Sequence, residues 1–211
     1  ADVDRPRGVT LRGRGITLAR CRITGFRGVG LWIDAPSSEI AIREVEIDRI
    51  GDNGIQTRWR RDKSAREITG LRIERCRVWD VKGRCNAKNH SGSGILLAMV
   101  DGALVRASEV WNTGTGFVNP GTGGPVGIWA VESSRVVFRE NASHHNGNGS
   151  GELDGGGFDF DGGCRECIAE FNYSHDNDGP GFLLAGYPGA SPIRDIVWRH
   201  NASIGDARAT S

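Results

Sequence analysis

Two short sequence patterns alternate along the chain and repeat at a regular spacing. Seven segments begin with Gly and continue as a short, mostly apolar stretch, at residues 8–12, 30–34, 54–58, 94–98, 127–131, 157–161 and 181–185. Seven longer phrases align on one position each, 24 to 33 residues apart, at Cys21, Val45, Cys76, Ser108, Asn141, Asn172 and Asn201. Self-similarity at this spacing is typical of a solenoid, in which each repeat packs only against its neighbours.

The order of apolar residues inside each phrase predicts strands rather than helices. Counted from the aligned position, apolar or small residues stand at −5, −3 and +2, and Arg and Glu are frequent at −2 and −1. Alternation by two, broken by one polar step, describes two short strands that meet at a corner. A helical repeat would need longer runs with a period of about 3.6 residues. We therefore predict an all-β solenoid of about seven coils, each with three short strands and three turns.

Composition and charge exclude several other classes of protein. The 211 residues include 32 Gly, without the three-residue period of collagen. With 37% hydrophobic residues and a net charge of +1, the composition is not that of a disordered chain. The charge is polarised, because residues 1–100 carry 20 Lys and Arg against 12 Asp and Glu, whereas residues 101–211 carry 7 against 14. One half can attract an anionic polymer and the other a cation, although drift in composition explains the asymmetry equally well.

This pattern resembles the right-handed parallel β-helix of the pectate-lyase-like superfamily over essentially the whole chain. In that family an Asn ladder stacks inside the turn between the second and third strands, and Asn141, Asn172 and Asn201 fall on that corner. The first four coils depart from the ladder and have Cys, Val, Cys and Ser at the same step. The resemblance implies a carbohydrate-active protein with a polysaccharide partner, secreted or at the surface of a bacterial cell.

The two ends of the chain bear on its domain organisation. We expect a single β-helix domain over residues 1–211, because the repeats run from end to end. The last phrase stops eight residues after Ser203, in the middle of a coil. A natural boundary rarely cuts a repeat there, so we expect a fragment of a longer solenoid. Uncapped coils also leave strand edges unpaired, which allows end-to-end self-association.

The lengths of the turns predict where a ligand binds. Long turns at residues 79–93 and 111–126 follow neighbouring coils, and residues 144–156 form an intermediate one. Long ordered turns are usually functional, so they predict a wall beside a groove along the outward side of the Gly-strands. The predicted floor of that groove consists of Trp32, Asp34, Gln56, Arg58, Leu96, Ala98, Trp129, Val131, Asp159, Asp161, Leu183 and Ala185.

The densest group of acidic residues lies between residues 151 and 163. If Phe158 and Phe160 face inward, Asp159 and Asp161 both face outward, about 6.6–7 Å apart. Carboxylates at this separation can act as the acid and base of an inverting glycosidase. With Asp154 they can instead bind Ca²⁺. The alternative is that these Asp residues only punctuate turns and cap backbone amides.

Further side chains complete the candidate site. His144 and His175, in the turns of the same and the next coil, are candidate catalytic residues beside Asp159 and Asp161. Trp129 lies one coil below Asp159, either as an exposed indole that stacks on a sugar or as a Trp partly covered by the long turn. The candidate substrate-binding set is Trp129, Arg58, Arg60, Lys88, His90 and Tyr187.

The reaction and even the presence of catalysis stay open at this level. Arg side chains bind carboxylates in bidentate fashion and so suit a uronic-acid polymer, although a solvated charge run is the favoured interpretation of residues 58–63. The resemblance implies a Lys or Arg base, often assisted by Ca²⁺, but no Lys or Arg lies in a specific enough motif to carry that role. We expect a polysaccharide lyase or glycoside hydrolase, or a noncatalytic binding or structural module. Neither nucleic acid nor a membrane is expected as a partner.

Overall fold

The computed structural model describes residues 6–59, 67–85, 90–116, 123–149 and 154–208. Their strands form three faces. The first face holds β1 (Val9–Leu11), β3 (Leu31–Ile33), β6 (Ile55–Thr57), β9 (Ile95–Ala98), β12 (Ile128–Val131), β15 (Phe158–Asp161) and β18 (Phe182–Ala185). The second holds β4 (Ser37–Ser38), β7 (Ile68–Glu74), β10 (Val100–Arg106), β13 (Ser134–Arg139), β16 (Arg165–Glu170) and β19 (Arg194–Arg199). The third holds β8 (Arg77–Val81), β11 (Glu109–Thr113), β14 (Ala142–His144), β17 (Tyr173–His175) and β20 (Ala202–Ile204). Two longer strands, β2 (Thr17–Thr24) and β5 (Ala41–Ile50), run through the corner between the second and third faces.

The strands stack in chain order as a parallel solenoid. The first face is a seven-stranded sheet in the order β1-β3-β6-β9-β12-β15-β18. The second and third faces form one 13-stranded sheet, because β5 pairs with both β7 and β8. Every strand pair between described residues is parallel. The predicted all-β parallel solenoid with three strands per coil is confirmed, with about five complete turns instead of seven.

The core is a set of columns in which equivalent residues of successive coils touch. One column runs through the second face in register, from Ile42 through Ile73, Val105 and Phe138 to Ala169. All five are fully buried. Each large apolar side chain buried in this way contributes roughly 1.5–3 kcal/mol. The alternation read from the sequence thus gives the inward side of each strand correctly.

The corners of the coil are made by residues in the left-handed region. The residue before each aligned position has φ between 49° and 57°, at Arg20, Glu44, Arg75, Ala107, Glu140, Phe171 and His200. Five residues later the left-handed conformation recurs, for example at Asn112, His145 and Asp176. For residues other than Gly this conformation costs roughly 1–2 kcal/mol each. Stacking between coils must offset this strain at every corner.

The predicted Asn ladder is present at the corner between the second and third faces. The side-chain amide of Asn141 donates to Asn172 Oδ1 at 3.0 Å, and that of Asn172 donates to Asn201 Oδ1 at 3.0 Å. Each Asn also donates to a backbone carbonyl of the preceding coil, as Asn172 does to Phe138 at 2.9 Å. Ser108 continues the ladder through its backbone N–H, which donates to Asn141 Oδ1.

A second ladder, not predicted from the sequence, stands five residues further along each coil. The amide of Asn146 donates to Asn177 Oδ1 at 2.8 Å, and that of Asn177 donates to Asp206 Oδ1 at 2.7 Å. The hydroxyl of Thr113 donates to Asn146 Oδ1 and extends the ladder by one coil. This ladder fixes the turn that leads into the strands of the first face.

Removal of Asn172 tests the first ladder. Asn172→Ala leaves the backbone N–H and the amide of Asn141 without their buried acceptor, so we expect a loss of about 2–4 kcal/mol in unfolding free energy. The same change at the half-exposed Asn201 should cost less, because water can replace the lost bonds. Chemical denaturation of both variants measures the difference. An Asn172→Ala loss no larger than that of Asn201→Ala would contradict the ladder's role.

A Gly substitution tests the strain at the corners. Ala107 is exposed and has a φ of 49°, a conformation that Gly adopts freely. Ala107→Gly should therefore stabilise the fold by about 0.5–1 kcal/mol. Ala142→Gly, the matched control inside β14, should destabilise it by a similar amount. Thermal unfolding of both variants shows whether each substitution stabilises or destabilises the fold. Destabilisation by both would show that the corners are unstrained.

Candidate functional site

The outward side of the first face carries a continuous column of side chains. Trp32, Gln56, Leu96, Trp129, Asp159 and Leu183 follow one another in register. The middle of this predicted groove floor is buried, since Leu96, Trp129 and Asp159 are no more than 3% exposed. Val126 and Trp59 pack over it and form a second apolar cluster outside the main core. The prediction of an open groove is therefore wrong for these central coils, because the turns fold back over the strands.

Trp129 is the centre of this covered layer. It pairs with Asp159 in the adjacent strand, as predicted, but its indole is only 1% exposed. The indole N–H donates to Ser93 Oγ at 2.9 Å. The rings of His90 and Trp59 lie edge-on to it at 4.9 and 6.0 Å. An exposed, sugar-stacking Trp129 is thus wrong, and the covered alternative is correct.

His90 and Asp154 meet at the turn that precedes β12. The ring of His90 stacks on Trp59 at 5.5 Å, and burial lowers its pKa, so the imidazole is neutral at neutral pH. Asp154 accepts a hydrogen bond from the backbone N–H of Gly124 at 2.7 Å. Burial raises the pKa of the Asp154 carboxyl. The predicted residues His90, Trp129, Asp154 and Asp159 therefore belong to one covered cluster.

Asp159 is the most unusual group in the cluster. Its side chain points away from the main core but is 3% exposed, and Oδ1 has no hydrogen-bond partner in the described part of the chain. Burial raises the pKa of Asp159 well above its usual range, and the nearby charges of Asp161 and Asp154 raise it further. Asp159 therefore keeps its proton to a higher pH than an exposed carboxyl does. A buried carboxyl with an unpartnered atom is costly and rarely serves the fold alone.

Asp161 lies on the same outward side of β15, two residues further on. Phe158 and Phe160, the alternate residues of the strand, are in the main core, so the predicted alternation is confirmed. Asp161 Oδ1 accepts a hydrogen bond from the backbone N–H of Gly162 at 2.6 Å. The ring of Tyr187, a predicted substrate-binding residue, lies against Gly162 and is 42% exposed. The acidic pair thus has an accessible aromatic ring beside it.

The predicted Ca²⁺ ligands Asp154, Asp159 and Asp161 are not gathered into one set in the described part of the chain. Ca²⁺ takes six to eight oxygen ligands, usually with several ionised carboxylates. Among the described residues, the one set of three potential ligands gathered within 4.8 Å contains neither Asp154, Asp159 nor Asp161. The raised pKa of Asp159 favours its neutral form, which is a poorer ligand than a carboxylate. Binding of Ca²⁺ by these three residues stays a prediction, and it would require their carboxyl groups to approach one another.

The other predicted site residues lie apart from the acidic pair or outside the described ranges. Arg58 forms an ion pair with Asp34 at 3.0 Å, near the N-terminal coils. Arg60 and Lys88 lie outside the described residues. His144 and His175 belong to β14 and β17 of the third face, whereas the acidic pair is in β15 of the first face. The structure does not join these His residues to Asp159 in one cluster.

The third face carries an outward aromatic column that the sequence analysis missed. Trp79 stacks on Trp111 at 5.0 Å, Trp111 on His144 at 5.9 Å, and His144 on His175 at 4.4 Å. These residues all stand three positions after the aligned residue of their coil, so the same alignment could have found them. Because each ring covers the face of the next, they present edges rather than open faces to solvent.

A basic groove opens beside this column on the N-terminal coils. It has a volume of about 420 Å³ and is lined at its rim by Arg27, Arg49 and Lys82. Asp80 and Asn112 also line it. The lining thus carries three cations and one carboxylate, and one of the cations, Arg49, also pairs with Asp48 at 3.1 Å. Its three cations belong to the basic half of the chain, residues 1–100, whereas Asn112 belongs to the other half.

The repeats of this chain match a known protein family. Residues 7–195 match the family model described as right handed beta helix region. The chain belongs to this β-helix family. The match confirms the predicted handedness. No curated protein matches the chain.

The fold of this β-helix protein is similar to a crystal structure of alginate lyase from Paenibacillus sp. str. FPU-7. The two share 15% sequence identity with a TM-score of 0.61, over 93% of this chain. The chain spans 64% of the length of that alginate lyase chain. The likeness is one of fold. No helix in the described part of the β-helix protein is long and apolar enough to cross a membrane.

Replacement of Asp159 by Asn tests its buried, protonated state. The raised pKa means that folded Asp159 keeps a proton that the unfolded chain releases near pH 4, so the wild type loses stability as pH rises from there towards the folded pKa. Asp159→Asn removes this loss and should stabilise the fold by about 1–3 kcal/mol at pH 7, with the gain shrinking towards pH 4.

Unfolding free energies measured across pH 4–8 provide the test. Asp195→Asn is the matched control, since Asp195 is exposed and this variant should follow the wild type. An Asp159→Asn variant that is less stable than the wild type at pH 7 would contradict a buried neutral carboxyl.

Proposed function

We propose that this β-helix protein binds an acidic polysaccharide and cleaves it at the outward side of β15, with Asp159 as the proton donor. The carrying observation is the Asp159 carboxyl, which is buried, has a raised pKa and has no hydrogen-bond partner at Oδ1 among the described residues. A proton donor must hold its proton at working pH, and burial beside other acids is the usual way to achieve this. The donor would give its proton to the leaving glycosidic oxygen.

Two reactions share this step. In hydrolysis with inversion, Asp161 would act as the general base on a water molecule, at the roughly 6.5–9.5 Å carboxyl separation that such enzymes use. In elimination, a base removes the proton beside a uronate carboxylate, and the leaving oxygen again needs a proton. The fold similarity to an alginate lyase supports elimination, and the paired carboxylates support hydrolysis.

The charge of the molecule supports an acidic polymer as the ligand. The groove lined by Arg27, Arg49 and Lys82 offers cations to carboxylate groups. Arg and Lys at a rim raise the local concentration of an anionic chain and speed its encounter with the protein. A polymer of this kind is met outside the cell, which agrees with a secreted or surface location.

A noncatalytic polysaccharide-binding module is the second candidate. The observation that favours it is the cover over the first face, where Trp129 and Asp159 are almost completely buried. The basic groove, by contrast, is open. In this case the polymer would bind along Arg27, Arg49 and Lys82, and Asp159 would have no part in function.

An activity screen separates these candidates. The protein is incubated with alginate, pectate, glycosaminoglycans and neutral glycans, with and without Ca²⁺, while unsaturated-uronate absorbance and reducing ends are followed. We expect product from an acidic polymer, and a loss of about 10²–10⁴-fold in rate for Asp159→Asn. Asp161→Asn should also lose activity, and Asp195→Asn should keep it.

Each outcome has a clear meaning. New absorbance indicates elimination, and reducing ends without absorbance indicate hydrolysis. Wild-type activity in a folded Asp159→Asn variant would overturn the assignment of the proton donor. Binding without product, weakened by Lys82→Ala, would overturn catalysis and favour the binding module.

A further inference from the structure

Three imidazoles meet on the outer side of β14 and β17. Ring nitrogens of His144, His145 and His175 all lie within 4.8 Å of one another, one from each residue. The Nδ1 atoms of His144 and His145 are 2.8 Å apart. His145 is the residue that bends the corner, with a φ of 53°, and this bend turns its ring across the edges of the other two.

Carboxylates lie beside two of these rings, as they usually do beside the imidazoles of metal-bound histidines. His144 Nε2 lies 3.4 Å from Glu109 Oε1, which leaves Nδ1 directed at His145. His175 Nδ1 lies 2.8 Å from Asp176 Oδ2. Imidazoles that bind a metal usually donate their other N–H to a carboxylate, which orients the ring and raises its basicity. Glu109 and Asp176 are placed for this role.

The geometry points to a binding site for one divalent transition metal ion of the zinc class, held by His144, His145 and His175. Three imidazole nitrogens with a fourth position for water or a carboxylate form a common tetrahedral zinc site, with Zn–N distances of about 2.0–2.1 Å. The ion would lie between the three ring nitrogens. It would connect β14 to β17 and so link two consecutive coils. This inference does not depend on polysaccharide cleavage.

Two carboxylates lie beside the cluster, and one of its rings is exposed. Glu109 and Asp176 contact the imidazoles, and each also pairs with an Arg, since Arg77 lies 3.3 Å from Glu109 and Arg208 lies 3.7 Å from Asp176. His145 is half exposed, so an ion can enter from solvent.

The stacking column alone does not explain the cluster. His144 and His175 stack in parallel with Trp111 and would do so without a metal. His145 is outside that stack, with its ring nearly perpendicular to both. Its Nδ1 lies 2.8 Å from Nδ1 of His144, the distance of an N–H···N hydrogen bond, and a metal ion can take the place of the shared proton. His145 is therefore the residue that distinguishes a metal site from an aromatic column.

Titration of the full 211-residue chain, without a histidine tag, with Zn²⁺ and with Co²⁺ tests the site. We expect one equivalent of Co²⁺ to give the visible absorption of a tetrahedral nitrogen site. Saturating Zn²⁺ should raise the Tm by roughly 5–10 °C, reversed by a chelator. His145→Asn and His175→Asn should each weaken the affinity at least tenfold.

The controls keep the fold and change other residues. His200→Asn alters a corner histidine that stacks on Phe171 outside the cluster, and it should bind like the wild type. Cys85→Ser removes the exposed thiol and should also have no effect. Lack of a Co²⁺ spectrum or a Tm shift in the wild type would overturn the site. Equal affinity in the wild type and both cluster variants, or loss of binding in Cys85→Ser, would overturn it as well.

Discussion

The left-handed bend at each corner is the constraint on which the rest of this structure depends. Residues such as Arg75, Ala107 and Glu140 adopt a backbone conformation that is unfavourable for them, and they do so once per coil at the same place. Only the stacking of identical corners makes this tolerable, through the Asn ladders and the parallel strand pairs. Because the corners repeat, every side chain between them falls into a column. Both the core and the candidate sites are columns of this kind.

The core columns could be predicted because they repeat in the sequence with a period of two. Ile73, Val105 and Phe138 are apolar at the same step, and Asn141 and Asn172 mark the corner. The second ladder, at Asn146 and Asn177, was missed because its residues lie in stretches that look like ordinary turns. A polar residue in a turn is compatible with solvent or with a buried bond, and the sequence alone does not distinguish the two.

The sequence predicts which residues of the candidate site lie side by side, but not whether they are exposed to solvent. Alternation places Asp159 on the outward side of its strand and Trp129 beside it, and both positions are correct. Whether a turn covers that side depends on contacts such as those of Trp59 and Val126, which no periodicity encodes. The cover has a chemical consequence, since burial raises the pKa of the Asp159 carboxyl and favours its neutral form.

The protonation of Asp159 at neutral pH is the central claim of this account. Infrared difference spectroscopy between the wild type and Asp159→Asn at pH 7 measures it directly, because a protonated carboxyl absorbs apart from the ionised form. The account predicts a protonated-carboxyl band in the wild type that is absent from the variant. A difference spectrum with only an ionised-carboxylate band would contradict it, and Asp159 would then be an ordinary charged residue without the capacity to donate a proton.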